Sequence, residues 1–229
     1  MKNVILIGGG KSVLEGVKLG LWNKIKGKEI WSINYAFMTM PYLPSREVFV
    51  DRCFYKNNVD ALQALSEQKV PLYARHQDTY AAIDEIKKFQ TTRETTGYKG
   101  KETFKTDGTP HLFVGQLGLS GTFALALAIA EEYTTIYLLG YDFGVVDFND
   151  KHTHYYQKDI KVVSTGAGNP QIYINQDNSV KDSVRDFEIF SNEQNIKIYN
   201  VSTQSRIPYF EKIDYSTFFH FIEIGDKYV

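Results

Sequence analysis

The chain has one cysteine, Cys53, and almost no net charge, with 26 Lys and Arg set against 27 Asp and Glu. A single cysteine excludes an internal disulfide and any thiolate metal cluster, and it fits a reducing compartment. Within VFVDRCF it reads as a packing residue rather than a nucleophile. A formal charge of -1 advertises no sequence-independent attraction to nucleic acid or to an anionic membrane, so small molecules are the expected partners. Long apolar runs are also missing. The best window, Phe123 to Ala130, stops at Glu131 and Glu132, far short of the roughly 20 apolar residues of a membrane span. Val4 to Ile7 runs straight into GGGKS with no cleavage-type segment, so a secretory leader is not expected. Neither an internal repeat nor a low-complexity tract is present. These absences lead to the expectation of a cytoplasmic protein without a membrane span.

What the chain does have is enough apolar material for one core, 43% of 229 residues, and it reads as a single domain over 1–229. Its 16 Tyr and 15 Phe either fill that core or line a ligand cleft. Short apolar runs recur at 3–8, 29–34, 47–51, 70–74, 135–143 and 196–202, each followed by a polar or helical stretch. Runs apolar at successive positions suit strands covered on both faces, the mark of a parallel sheet between two helical layers. The fold expected is α/β, a Rossmann-like doubly wound sheet. Apolar spacing predicts helices over Ser12–Lys26, Asn58–Gln68, Thr79–Phe89, Ser120–Glu132 and Val180–Asn192. Ser12 and Glu15 would form a capping box, and Ser120 would cap its own helix or meet a ligand.

Two stretches break this rhythm. Thr91–Pro110 is polar and rich in Thr, Lys and Gly. Residues 144–178, containing KHTHYYQK and STGAGNPQIYINQDN, are long for a connection and read as a lid. The lid would cover the carboxyl ends of the strands, where open α/β sheets bind ligands.

The chemistry-bearing residues fall at those strand ends. Gly8, Gly9 and Gly10, with Lys11 and Ser12, join a strand to a helix, where close backbone approach and free N–H groups favour an anion such as phosphate. GGGKS is not GxxxxGK[ST], which excludes a P-loop, and it lacks the third spaced glycine of GxGxxG. Asn34 and Asp51 end the second and third strands; the Asn can donate to a phosphate, and the Asp can bind a ribose or a metal or cap a helix. Ser120 and Gly121 open the most apolar helix and face the same cleft. Asp142 ends a central strand, where a carboxylate is costly unless paired or functional. His152 and His154, spaced i, i+2, share a face in an extended segment; they suit a general acid or base, or a metal site with Asp142. Tyr155 and Tyr156 can hydrogen-bond phosphate oxygens.

The blocks VILIGGGKS, WSINYAF, LSGTFALALAIAEEYTTIYLLGYDF and DFEIFSNEQNIKIYNVS together resemble the bacterial lipooligosaccharide sialyltransferases. They are also similar to a wider Rossmann-like group of bacterial and phage proteins that includes an archaeal-type 6-hydroxymethyl-dihydropterin pyrophosphokinase. The resemblance implies a nucleotide site, for CMP in the first case and ATP in the second. Gly8, Gly9 and Gly10 would lie at the phosphate and ribose, Asn34 near the phosphate, and Ser120 and Gly121 near the base, ribose or donor group. Lid tyrosines, here Tyr155 or Tyr156, would stabilise the leaving phosphate. The family has Asn at the position of Gly9 and at that of Asp51, its donor-site Arg falls on Leu117, and its catalytic His falls on Asn178. An amide accepts no proton as a general base, which leaves His152 or His154 for that role.

The expected function is therefore a nucleotide-binding transferase of the glycosyltransferase kind. It would take a nucleotide-activated donor of the CMP-sugar type, pass the sugar to a small-molecule or glycan acceptor and require no cofactor. A metal-dependent pyrophosphoryl or nucleotidyl transferase, with Mg2+ placed by Asp51, Asp142 and a lid histidine, is the alternative. A non-catalytic nucleotide-binding module is a third reading. The relatives form homo-oligomers, though no surface patch here demands one.

Overall fold

The structure, a computed structural model, describes residues 2–75, 83, 85–91, 111–112, 119–143, 154–158, 160, 187–188, 190–192 and 195–225. The apolar runs form strands β1 (Asn3–Ile7), β2 (Ile30–Ile33), β3 (Arg46–Phe49), β4 (Leu72–Arg75), β7 (Thr135–Leu139) and β8 (Lys197–Asn200). Three more strands were not expected: β5 (Lys87–Thr91), β6 (His111–Leu112) and β9 (Glu211–Lys212). Each pairs parallel to its neighbours in the order β6-β5-β4-β3-β2-β1-β7-β8-β9. The chain builds outward from β1 to β6 and then returns to lay β7 on the other side of β1. The order thus reverses between β1 and β7, the switch point at which sheets of this kind open a crevice.

Both faces of the sheet are covered, which is why its strands are apolar without alternation. One face packs Ile5, Ile7, Phe49, Leu72 and Leu139 against α1 (Val13–Lys18), α2 (Leu21–Ile25), α3 (Arg52–Asn57), α4 (Val59–Glu67) and α6 (Tyr215–Gly225). The other packs Val4, Leu6, Trp31, Val48 and Leu138 against α5 (Ser120–Ala130), with Phe187 and Phe190. Helix α5 is buried from Thr122 to Ile129, as an all-apolar helix must be. The fold is thus the Rossmann-like α/β class expected, doubly wound.

Several local expectations are corrected. The helix read over Ser12–Lys26 is two helices, broken at Gly20 with φ 83°, a left-handed conformation that glycine adopts without penalty. Ser12 is already helical at φ -57° and ψ -24° and makes no side-chain cap, so the capping box with Glu15 does not form. Lys87 to Phe89, placed at the end of a helix from Thr79, lie in β5. Leu119, not Ser120, is the N-cap of α5. Of the helix read over Val180–Asn192, Phe187, Glu188, Phe190 and Ser191 are helical. Of the lid over 144–178, only 154–158 and 160 belong to the described residues; Tyr155–Lys158 is a 3-10 turn.

Candidate functional site

Where β1 and β7 end, their exits are bonded to each other. Gly8 N–H donates to Leu139 O at 2.8 Å and Gly10 N–H to Gly140 O at 2.9 Å. Gly140 sits at φ 69°, and a Cβ there would lie 2.8 Å from Gly8 O and 2.9 Å from Gly10 N. Beyond it Asp142 turns back onto the loop. Its Oδ2 accepts Ser12 N–H at 2.8 Å, and its Oδ1 accepts the Ser12 hydroxyl at 2.5 Å. A Cβ on Gly10 would lie 2.6 Å from that carboxyl group. The anion held at the start of α1 is therefore the chain's own Asp142. The glycines are small because strand exits and side chains pack against them.

One strand over, Asn34 begins a 3-10 turn, Asn34–Thr39, at φ 55°. Asn tolerates this left-handed conformation better than most residues. Its Oδ1 accepts the Ser120 hydroxyl at 3.1 Å, while Ser120 Oγ accepts Val50 N–H at 3.1 Å. Ser120 therefore orients Asn34 and spends its own proton in doing so. Since Oδ1 is committed, the Nδ2 group carries the free donors; among the described residues it has no partner. Gly9 N–H likewise makes no hydrogen bond among them. Ile7 pairs with Ser32 in the β1–β2 register, and Gly9 and Asn34 each lie two residues further along. Two unspent donors thus stand at the same level on adjacent strand ends.

The described part of the segment read as a lid, residues 154–158 and 160, reaches this level. Tyr155 N–H donates to Gly9 O at 3.0 Å, and the Tyr155 hydroxyl shares a proton with Thr39 Oγ1 at 2.8 Å. The His154 and Tyr156 rings stack at 5.2 Å with 8° between planes. A Cβ on Gly9 would lie 2.3 Å from His154 Cδ2 and 2.8 Å from the Tyr156 hydroxyl. Burial pushes the His154 imidazole from its ordinary 6.5 down to about 4, so it is neutral near pH 7. Burial also pushes the Tyr155 hydroxyl up to about 12 and the Tyr156 hydroxyl well up, so both are intact O–H donors.

The structure thus brings Gly9, Asn34, Ser120, His154, Tyr155 and Tyr156 to one edge, and sets Gly8, Gly10, Ser12 and Asp142 beside them in a clamp. Asp51 is N-cap of α3, its Oδ1 accepting Cys53 N–H at 2.6 Å and Phe54 N–H at 3.4 Å; of its three possible roles the cap is the one the structure shows. Gly121 is close to the Tyr141 ring, 3.1 Å from where its Cβ would be, and its carbonyl accepts the Tyr141 hydroxyl at 3.0 Å. His152 and Asn178 lie outside the described residues. Among the described residues no group of three or more His, Cys, Asp or Glu is placed to hold a metal. Thr39 and Glu47 were missed. Glu47 is fully buried within β3, taking the Ser32 hydroxyl on Oε2; a glutamate opening EVFVD carries no signal that it points inward.

No protein-family model, curated protein or solved structure matches the chain.

Proposed function

We propose that the chain is a nucleotide-binding transferase that takes a nucleotide-activated sugar at the carboxyl edge of β1 and β2. One observation carries the reading. Among the described residues the Gly9 N–H and the Asn34 side-chain amide are unspent donors at one level of the adjacent ends of β1 and β2, with His154 beside Gly9. Donors of that kind suit phosphate oxygens. In the transfer, the bond from the sugar carbon to the phosphate oxygen breaks and its electron pair leaves on the nucleotide. The acceptor hydroxyl forms the new bond to carbon, and its proton passes to the neutral imidazole of His154. Tyr156, with its hydroxyl intact, donates to the departing phosphate. The resemblance to sialyltransferases favours cytidine as the base.

Calorimetric titration with CMP, CMP-sugar, UDP-sugar and GDP-sugar tests this, together with mass spectrometry of any nucleotide carried through purification. Saturable binding of a cytidine nucleotide is expected, with release of CMP from its sugar in the presence of an acceptor glycan. His154→Ala should slow that release by about 100-fold or more, as for loss of a general base. Absence of binding by all four overturns the reading.

A further inference from the structure

Thr39 ends the 3-10 turn that Asn34 begins, and the roles assigned so far do not use it. A threonine hydroxyl has one proton to give, and Thr39 gives its own to Ala36 O at 2.8 Å. Toward Tyr155 the Thr39 Oγ1 is therefore an acceptor, and the Tyr155 hydroxyl is the donor of the 2.8 Å bond between them. Tyr155 is buried, at 5% exposure, so a lost acceptor would leave a phenol without its partner away from water, a costly state. The same residue is bonded at its backbone, where its N–H donates to Gly9 O at 3.0 Å. Tyr155 thus ties the 154–158 segment to the exits of two paired strands, β1 through Gly9 and β2 through Thr39.

What this tie holds is the residue on each side of it. The Tyr155 and Tyr156 rings meet edge to face at 5.1 Å, and Tyr156 packs on Tyr35 of the Asn34–Thr39 turn at 5.6 Å. The His154 ring stacks on Tyr156. The space that a Cβ on Gly9 would fill is taken by the His154 ring and the Tyr156 hydroxyl. Ring contacts of this kind set distance, whereas a hydrogen bond also sets direction.

We infer that Thr39 is a positioning residue, whose Oγ1 holds Tyr155 so that the His154 imidazole stands against Gly9. The inference rests on the proposed site, in which His154 takes the acceptor's proton. In this role Thr39 touches no ligand; it acts through Tyr155. The two tyrosines then differ in use. Tyr155 is an anchor with its proton committed to Thr39, and Tyr156, whose hydroxyl has no hydrogen-bond partner among the described residues, is the one that meets the departing phosphate.

The test compares the wild-type full chain with Thr39→Val, which keeps the shape and removes the oxygen, and Thr39→Ser, which keeps the oxygen. Release of CMP from CMP-sugar with an acceptor glycan should slow about tenfold in Thr39→Val, the worth of one well-placed hydrogen bond. CMP affinity by calorimetry should stay within about twofold, because the bond acts on the proton acceptor and not on the phosphate donors. Thr39→Ser should recover most of the rate. Tyr155→Phe removes the same bond from the other side; it should match Thr39→Val, and the double variant should lose no more than either. A wild-type rate in folded Thr39→Val, a loss of CMP affinity equal to the loss of rate, or losses that add in the double variant overturns the inference. Should the wild type release no CMP, the transfer reading fails and the inference is judged by NMR alone. Thr39→Val, or Tyr155→Phe if the former does not fold, should then move the His154 ring and Gly9 amide signals while leaving Tyr199 in place. Unmoved His154 and Gly9 signals overturn it.

Discussion

The two ends of the sheet treat polar groups in opposite ways. At the amino ends of the strands, Arg46 lies between Trp31 and Tyr73, 4.5 and 4.9 Å from their rings. It donates to Tyr73 at 3.0 Å and to Glu131 at 2.5 Å. Glu29 takes the Trp31 indole N–H at 2.8 Å and the Tyr133 hydroxyl at 3.1 Å. Lys2 covers the Tyr133 ring and donates to Glu131 O. At the carboxyl ends, Asn200 and Ser202 each bury a polar atom without a partner among the described residues, Asn34 is left-handed and His154 is held neutral. Charged groups are paired with one another at the amino ends, whereas at the carboxyl ends our proposal sets a ligand on the Gly9 N–H and the Asn34 side-chain amide.

Predictions that break this contrast run from large to small. Gly140→Ala at the carboxyl end adds a Cβ against two backbone atoms and the Val13 side chain at positive φ, and should cost about 3 kcal/mol or more in urea unfolding. Arg46→Met at the amino end leaves Glu131 and Glu29 without their cation, and should cost about 2 kcal/mol, since the pair is partly exposed to solvent. Asp142→Asn keeps the shape but weakens the clamp on Ser12, and should cost about 1 kcal/mol.

The pH dependence sharpens the contrast further, because the two perturbed groups pull in opposite directions. His154 is depressed from 6.5 to about 4 in the fold. The unfolded chain therefore takes up the proton first, and the stability from neutral His154 is present above pH 6.5 and lost as pH falls toward 4. Burial holds the Glu47 carboxyl well above its ordinary 4.5, so its stability is present below that pH and lost as pH rises. Urea midpoints across this range should lose the acid-side fall in His154→Gln and the rise-side fall in Glu47→Gln. Arg46→Met should shift the whole curve without changing its shape.

Much of the fold was legible because the central strands are apolar at every position, a pattern that only a doubly covered sheet explains. The errors have local causes. Ile83, Ile86 and Phe89 are spaced three apart, which reads as a helix, yet Phe89 belongs to β5. Helix α6 went unread although Tyr215, Phe218, Phe219 and Ile222 carry helical spacing and are buried. The clamp between Ser12 and Asp142 joins residues 130 apart in sequence, and nothing local announces it. Asn34 and Ser120 were each read singly as weak signals; their hydrogen bond gives both a meaning that neither has alone. The glycine loop was read as an anion cradle; the structure sets the Asp142 carboxyl on Ser12 at its far end, and among the described residues the Gly9 N–H makes no hydrogen bond.

The central claim is that the carboxyl edge, at Gly9 and Asn34, holds a nucleotide phosphate. Amide NMR titration of the full chain with CMP tests it most directly. The account predicts saturable shifts at Gly9, the Asn34 side-chain amide, Ser120 and Tyr155, with Arg46, Glu131 and Tyr133 unmoved. Shifts centred on the Arg46 end, or none at saturating CMP, would contradict it.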